Sequence, residues 1–224
     1  MDKKIKDIEA IIRRAEETLE TAMHGFGNLI SSNKTHRFIG LRNLIVFGRS
    51  VTFVLQNLRS VIKEDFDSWY KQEQEKMRKD PLMRYFVEAR NILEKEGELN
   101  IALRGRVHFS DDDIRKLGPG PPGTIAFFIG DKYGGTGWEV EMPDGITEKY
   151  YIELPPEMGE MKQCFSNFPE SEAPEFKDKP VEELCEIYLK RLELLLAGAR
   201  ERFLGKTSKD ITGKRLPPYL KVIK

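Results

Sequence analysis

The sequence predicts an α+β protein, in which an up-and-down bundle of about five helices carries an inserted antiparallel sheet of about four strands. Three observations support this prediction. Apolar residues recur every three or four positions through the first hundred residues, the period changes to two after Gly97, and helical spacing returns near the C-terminus. The predicted domains are a helical bundle at 1–98 completed by 178–204, a β insertion at 99–155, an acidic irregular connector at 156–177 and a basic tail at 205–224.

Composition restricts the kinds of partner. The chain has 224 residues, of which 39% are hydrophobic, and it has 37 basic and 37 acidic residues. This is enough for a core, and it leaves no net charge to attract nucleic acid or membrane. Cys164 and Cys185 show no pairing pattern, which fits a reducing compartment. Because the N-terminus lacks a signal-peptide pattern and the uninterrupted apolar runs are short, we expect a cytoplasmic protein without membrane contact.

The first two predicted helices differ in polarity. The first, over 3–31, has one apolar seam, whereas the second, over 35–63, is so apolar that we expect it to be the most buried element. Gly40 and Gly48, nearly two turns apart, would let a neighbouring helix approach closely. Two adjacent polar columns with a spacing of seven indicate either a solvated edge or a seam lining a site. These columns are Arg42, Arg49 and Gln56, and Asn43, Ser50 and Asn57.

A third helix over 65–79 ends where a fourth begins. Asp80 is a good N-cap, Pro81 suits the first turn, and Gly97 can adopt the left-handed conformation that ends a helix. The short connections between these helices favour an up-and-down bundle. The fourth helix has a single apolar face, formed by Leu82, Tyr85, Phe86, Ala89, Ile92 and Leu93.

After Gly97 the pattern becomes that of β-strands. The first strand, over 99–109, is predicted to have one buried apolar face and one basic face with Arg104, Arg106 and His108. His108 is interpreted first as an exposed strand residue and second as a binding residue. Three more strands complete the predicted meander, with a strong hairpin signal at Pro143–Asp144–Gly145. These strands are predicted at 124–130, 138–142 and 148–154.

Two loops of the insertion contain residue types that bind ligands in other proteins. The aspartates at 111–113 either supply negative charge to the start of a short helix or hold a metal. Since no second cluster of ligands is visible, we expect no metal and no cofactor. The glycine-rich run at 134–137 could cradle a phosphate, but it lacks the lysine and serine that end a Walker motif. A hairpin tip is therefore the preferred interpretation.

Prolines interrupt the segment from Pro155 to Pro180, which is predicted to return the chain from the sheet to the bundle. Asp178 and Pro180 then begin the last helix, which extends to 204. The tail that follows is strongly basic. It is interpreted as a mobile end or as a contact segment for RNA or a partner protein.

The end of the fourth helix contains the one motif with a family resemblance. Its order of residues, from Ala89 to Gly97, resembles the signature of the HEPN superfamily, which is an arginine, a polar residue, three more residues and a histidine. Arg90 and Asn91 match that signature, whereas Lys95 occupies the position of the histidine. The resemblance implies an all-helical bundle that dimerises at the motif. It also implies, in many members, metal-independent RNA cleavage in defence or toxin–antitoxin systems.

The chemistry of the motif leaves two functions open. Arg90 could hold a phosphate and Asn91 could orient it, but a lysine with a pKa near ~10.4 is a poor base at neutral pH. We therefore expect a dimeric binding or scaffold protein associated with RNA, a nucleotide or a partner protein. The alternative is a metal-independent ribonuclease that uses Arg90, Asn91 and Lys95. The residues expected to contribute to binding are Arg84, Glu88, Arg104, Arg106 and His108.

Overall fold

The computed structural model describes residues 2–31, 34–108, 113, 116–131 and 135–205. The chain divides into two compact units. The helical unit contains the described residues of Met1–Leu99, Phe168–Lys177 and Glu182–Gly205, and the β unit contains those of Asn100–Asn167 with Asp178–Val181. Helices and two small antiparallel sheets are both present, so the predicted α+β class is confirmed.

The helical unit contains the long helices of the described chain. They are α1 (Asp2–Leu29), α2 (Lys34–Leu55), α3 (Arg59–Lys79), α4 (Pro81–Glu96) and α5 (Val181–Leu204). A 3-10 turn at Gln56–Leu58 joins α2 directly to α3. The predicted break between the second and third helices is instead a kink at Ile62, which has φ −140° and ψ 50°.

α1 and α2 cross with their backbones in close contact. A Cβ atom added to Gly40 would lie 2.7 Å from the Leu29 nitrogen, and one added to Gly25 would lie 2.7 Å from the Gly40 oxygen. On the other side of α2, a Cβ added to Gly48 would lie 2.6 Å from the Tyr188 ring of α5. The prediction that Gly40 and Gly48 allow close approach is therefore confirmed, because each packs against a neighbouring helix.

α4 begins and ends as its sequence predicts. The Asp80 carboxylate accepts hydrogen bonds from the backbone N–H groups of Leu82 (2.9 Å) and Met83 (3.2 Å). Gly97 ends the helix in the left-handed region at φ 73°, and its N–H donates to the Leu93 carbonyl at 3.0 Å. The buried residues of α4 belong to the predicted apolar face, except that Met83 joins them and Ile92 is only half-buried.

α5 packs into the same bundle. Its Arg200 makes a bidentate pair with Glu16 of α1, with nitrogen–oxygen distances of 2.8 and 2.6 Å. Its Tyr188 ring stacks on Phe86 of α4 with centroids 4.0 Å apart. These contacts connect the C-terminal helix to both ends of the N-terminal helical segment, although the 84 residues from 97 to 180 separate α4 from α5 in sequence.

The β unit differs from the predicted four-stranded meander. Strand β1 pairs with β5 in a two-stranded sheet, whereas β2, β3 and β4 form a separate three-stranded sheet. The prediction that the first strand belongs to the meander is therefore wrong. The prediction of an irregular connector at 156–177 is also wrong for the part of that segment that forms β5. The flanking prolines obscured a short strand, whose backbone groups form hydrogen bonds with β1. The strands are β1 (Ile101–Val107), β2 (Thr124–Ile129), β3 (Thr136–Glu141), β4 (Thr147–Ile152) and β5 (Gly159–Phe165).

The hairpin between β3 and β4 is confirmed. Gly145 has φ 80°, the Met142 N–H donates to the Ile146 carbonyl at 2.8 Å, and the Asp144 carboxylate accepts from the Ile146 N–H at 3.1 Å. By contrast, the predicted buried face of β1 is only half-buried. Some predicted features lie wholly or partly outside the described residues, namely Asp111 and Asp112 of the aspartate run, Gly134 of the glycine-rich run at 134–137 and the tail from 206. In the rest of that run the Gly135 N–H donates to the Asp131 carboxylate at 3.0 Å, and Thr136 and Gly137 belong to β3.

One helical stretch, His36–Lys79, is long and apolar enough to cross a membrane by length and composition. Its most apolar window has a mean hydropathy of 1.5, and 44% of that window is buried. A core helix of a water-soluble protein meets the same criterion, and α2 packs extensively on α1. The stretch by itself therefore does not indicate a membrane protein.

Candidate functional site

The structure brings Arg90 and Asn91 together on the polar side of α4. The Arg90 guanidinium forms an ion pair with Glu94 at 2.7 Å and donates to the Asn91 side-chain oxygen at 3.4 Å. Asn91 in turn donates to Glu88 at 3.5 Å. Lys95 is exposed in the last turn of α4, where its positive charge interacts favourably with the negative end of the helix dipole. These are the spacings of ordinary contacts along one helix, each worth about 0.2–0.5 kcal/mol.

The other candidate binding residues are distributed over both units. Arg84 of the helical unit is exposed and forms an ion pair with Glu172. In the β unit, Arg104 pairs with Asp178, Arg106 is exposed, and His108 is exposed with its backbone N–H bonded to the Met158 carbonyl at 2.9 Å. Arg104 is thus held by an acidic neighbour, whereas the side chain of Arg106 is largely in solvent.

An exposed aromatic residue that the sequence pattern does not single out lies beside Arg90. The Phe53 side chain of α2 is 46% exposed, and its ring lies below two guanidinium groups. The Arg49 guanidinium carbon is 4.1 Å from the ring centroid, and that of Arg90 is 5.9 Å away. Both distances are within the range of cation–π attraction. Arg49 and Arg90, which belong to different helices, therefore meet on one aromatic ring.

Phe53 is part of a larger apolar surface, which we call the α2–α4 face. It comprises the exposed side chains of Ile39 (49%), Phe47 (37%) and Phe53 on α2 and Val87 (37%) on α4, together with Arg49 and Arg90. Ile39 and Phe53, fourteen residues apart, lie on nearly the same side of α2, whereas Phe47 lies about 120° around the helix from Phe53. Single exposed apolar residues are normal, but several on the outer side of one helix form an apolar surface that can bind a partner. Asn43 and Ser50 of the polar column lie on this outer side of α2, and Asn57 lies in the 3-10 turn that follows α2.

A helical wheel could have identified this face. Leu41, Leu44, Val51 and Leu55 lie on one side of α2 and are all buried. At 100° per residue, Phe53 falls on the opposite side. The high overall hydrophobicity of α2 hid this division, because it predicted the most buried element of the bundle with only a narrow polar seam as a possible solvated edge. That prediction does not anticipate the exposed apolar side chains of Ile39, Phe47 and Phe53.

Polar groups within the bundle lie close to the Arg49 side chain. Its guanidinium donates to the hydroxyl of Thr52, which is buried. Burial raises the pKa of Tyr70 and of Tyr188, and the nearby positive charge of Arg49 partly opposes both shifts. Arg49 therefore has a fixed position between buried phenols and the exposed Phe53 ring.

Metal-binding groups do not gather in the part of the chain that the structure describes. No cluster of three or more histidine, cysteine, aspartate or glutamate side chains suited to a metal occurs there. Both cysteines are buried and unbridged, and burial raises the pKa of Cys185. A raised thiol pKa disfavours the reactive thiolate, so the geometry offers no activated nucleophile at Cys185.

Comparison with known proteins gives a match to a protein family. Residues 30–109 match a family model described as bacteriophage lambda protein ea47. The match covers α2, α3, α4 and β1, and thus includes the α2–α4 face, but it spans less than half of the chain. No curated protein matches the chain, and no solved structure matches it.

This match corrects the resemblance inferred from the end of α4. The segment that contains Arg90, Asn91 and Lys95 matches the phage family and not the HEPN superfamily, so the HEPN assignment is wrong. An arginine followed by a polar residue near a helix end is common on solvated helices, which explains why so short a motif misled. The RNA cleavage and defence roles implied by that resemblance lose their basis with it.

Proposed function

We propose that the protein is a homodimeric scaffold that self-associates through the α2–α4 face. The observation that carries this proposal is the exposed Phe53 ring, which is contacted by Arg49 and Arg90 and lies on an outer side of α2 that also exposes Ile39 and Phe47. Aromatic residues and arginine are enriched in the cores of protein interfaces and among the residues that dominate binding energy.

The energetics favour burial of this face. Complete burial of a large apolar side chain contributes about 1.5–3 kcal/mol, so burying the exposed half of Phe53 or Ile39 contributes about 1 kcal/mol each. An isologous interface counts every residue twice, because each copy presents the same face. Four partly exposed apolar side chains from each copy therefore supply several kcal/mol towards the cost of association.

The charges on the face suit a second copy. Arg49 and Arg90 carry positive charge and Glu94 carries negative charge on the same surface. Two identical faces can therefore meet with an arginine of one copy opposite the glutamate of the other. The ion pair between Arg90 and Glu94 and the bond from Arg49 to Thr52 also lower the cost of removing the guanidinium groups from water.

Sedimentation equilibrium on two variants tests the dimer. We expect the wild-type chain to be dimeric, and we expect the double substitution Phe47→Glu and Phe53→Glu to make it monomeric while far-UV circular dichroism stays unchanged. Leu194→Glu is the matched control, since Leu194 is 72% exposed on α5, outside the face. A monomeric wild type, or a double variant as dimeric as the control, would refute the proposal.

RNA association is a second candidate for the same face, because an exposed aromatic ring flanked by arginines is a common platform for unpaired bases. It is supported by the same Phe53 geometry. Fluorescence anisotropy with a labelled single-stranded RNA separates the two candidates. Binding by a monomeric wild type that disappears in Phe53→Glu would favour RNA, whereas dimerisation without RNA binding favours the scaffold.

The ribonuclease alternative has weaker support. Arg90 is already paired with Glu94, and Lys95 lies exposed in the last turn of α4. Total RNA incubated with EDTA and either wild type or the double variant Arg90→Ala, Lys95→Ala tests it. We expect equal amounts of intact RNA in both, and selective degradation by the wild type would revive this alternative.

A further inference from the structure

Strand β2 is an edge strand without the usual protection. In the described sheet it pairs with β3 on one side, and no described strand pairs with its other side. It contains no charged residue and no proline from Thr124 to Ile129, and its Ile125 and Ile129 side chains are 57% and 44% exposed. Edge strands in soluble proteins normally carry charges or prolines that prevent pairing with another strand. Its only irregularity is a register shift between Thr124 and Ala126.

The chemistry of an open strand edge specifies what can cover it. A row of backbone N–H and C=O groups is satisfied by another extended segment, which adds a strand to the sheet. Residues 124–152, which contain the β2–β3–β4 sheet and its turns, carry five acidic residues against two lysines, Lys132 and Lys149. The acidic residues are Asp131, Glu139, Glu141, Asp144 and Glu148. An added strand would lie about 4.8 Å from β2 and about 10 Å from β3, so Glu139 and Glu141 of β3 lie within roughly one Debye length of it.

The chain itself contains a segment with the matching properties. Residues 206–224 lie beyond the described structure and carry six basic residues and one acidic residue. Near the end of this tail, Tyr219–Ile223 reads Tyr-Leu-Lys-Val-Ile, which is rich in the aromatic and β-branched residues that favour strands. Thirteen residues separate Gly205 from Tyr219, and Pro217 and Pro218 directly precede the segment.

We infer that the outer edge of β2 binds the C-terminal segment Tyr219–Ile223 of a second copy as an added strand. The inference rests on the proposed dimer for the second copy, since a dimer presents two tails and two β2 edges that can be exchanged reciprocally. Dimerisation also raises the effective concentration of each tail near its partner.

The side-chain pattern fits this pairing. The register between β2 and β3 places Ala126 opposite Glu139 and Phe127 opposite Trp138, so Ala126 and Glu139 share one side of the sheet and Phe127 and Trp138 share the other. Lys149 of β4 lies opposite Glu139 on the first of these sides. When Lys221 lies on the side of Glu139, Leu220 and Val222 lie on the same side as Phe127 and Ile129. The tail then covers exposed apolar side chains with its own and places its charge near an acidic residue.

Hydrogen exchange of the full-length chain tests the contact. We expect the backbone amides of β2 to exchange about tenfold faster in Val222→Pro than in wild type, because proline removes an amide and cannot occupy the middle of a paired strand. Ser208→Pro, in the same tail but outside the segment, is the matched control and should resemble wild type. Equal exchange of β2 in Val222→Pro and wild type would overturn the inference.

The source of the segment is tested by cross-linking. Tyr219 is replaced by a photoreactive residue in the full-length chain, and isotopically labelled and unlabelled chains that carry it are mixed. Adducts on β2 that join labelled to unlabelled chains support exchange between copies, and adducts within one label alone overturn it. Ile129→Lys, which adds a repelling charge to the edge, should abolish the β2 adducts.

A third measurement separates this inference from the proposed dimer. A synthetic peptide of residues 214–224 is added to the Val222→Pro chain carrying Phe47→Glu and Phe53→Glu. Restored protection of the β2 amides supports strand addition even if the α2–α4 face does not dimerise. Absence of protection, while sedimentation shows that the wild type is dimeric, overturns strand addition alone.

Discussion

Replacing Gly40 by alanine is expected to destabilise the helical unit, whereas the same replacement at Gly198 is expected to stabilise it. Gly40 lies at the crossing of α1 and α2, where an added Cβ atom would lie 2.7 Å from the Leu29 backbone nitrogen and 2.7 Å from the Asn28 Cβ. Gly198 lies within α5, where the nearest atom to an added Cβ is Trp69 Cζ2 at 3.7 Å. The first distance is a steric overlap and the second is an ordinary van der Waals contact.

The expected magnitudes follow from two opposing terms. Alanine is favoured over glycine inside a helix by about 1 kcal/mol, and this term is nearly the same at both positions. Overpacking costs about 1–3 kcal/mol, and at Gly40 the upper end applies because the obstructing atoms include backbone that cannot rotate away. We therefore expect Gly40→Ala to lower the free energy of unfolding by about 2 kcal/mol and Gly198→Ala to raise it by about 0.5–1 kcal/mol.

Urea denaturation followed by far-UV circular dichroism measures both changes. The two variants serve as controls for each other, since they make the same chemical change in helices of one unit. A Gly40→Ala protein as stable as wild type would refute the close crossing of α1 and α2. A destabilised Gly198→Ala protein would show that the space beside Trp69 is smaller than its geometry indicates.

Two further predictions concern the start of α4 and the buried phenols. Asp80→Ala should lower the free energy of unfolding by about 1–2 kcal/mol, because it removes the N-cap and the 2.5 Å ion pair with Arg191. Asp80→Ser, which keeps a capping oxygen, should recover most of that loss, and no recovery would assign the effect to the ion pair. Burial raises the pKa of Tyr85 and of Tyr188 above the ordinary tyrosine value of ~10. The free energy of unfolding should therefore be independent of these groups below that pH and decrease as the pH rises above it. Phenolate absorbance should show these two groups ionising only as the protein unfolds, and their ionisation in the folded state would contradict their burial.

The sequence by itself determined the features whose signals are local. The start of α4 at Asp80 and Pro81, its end at Gly97 and the turn at Asp144 and Gly145 depend on the backbone preferences of a few adjacent residues. The change of hydrophobic period after Gly97 likewise determined the α+β class. Each of these was predicted correctly because the physical cause lies within one turn or one hairpin of the residue concerned.

Only the tertiary structure decided which elements meet. β1 pairs with β5, more than fifty residues away, because strand pairing is chosen by backbone groups that are the same in every strand. Likewise, Phe53 is as apolar as its buried neighbours in α2, and its exposure depends on where α1, α4 and α5 pack around that helix. The candidate site, where Arg49 and Arg90 meet on the Phe53 ring, therefore appears only when two helices distant in sequence are brought together.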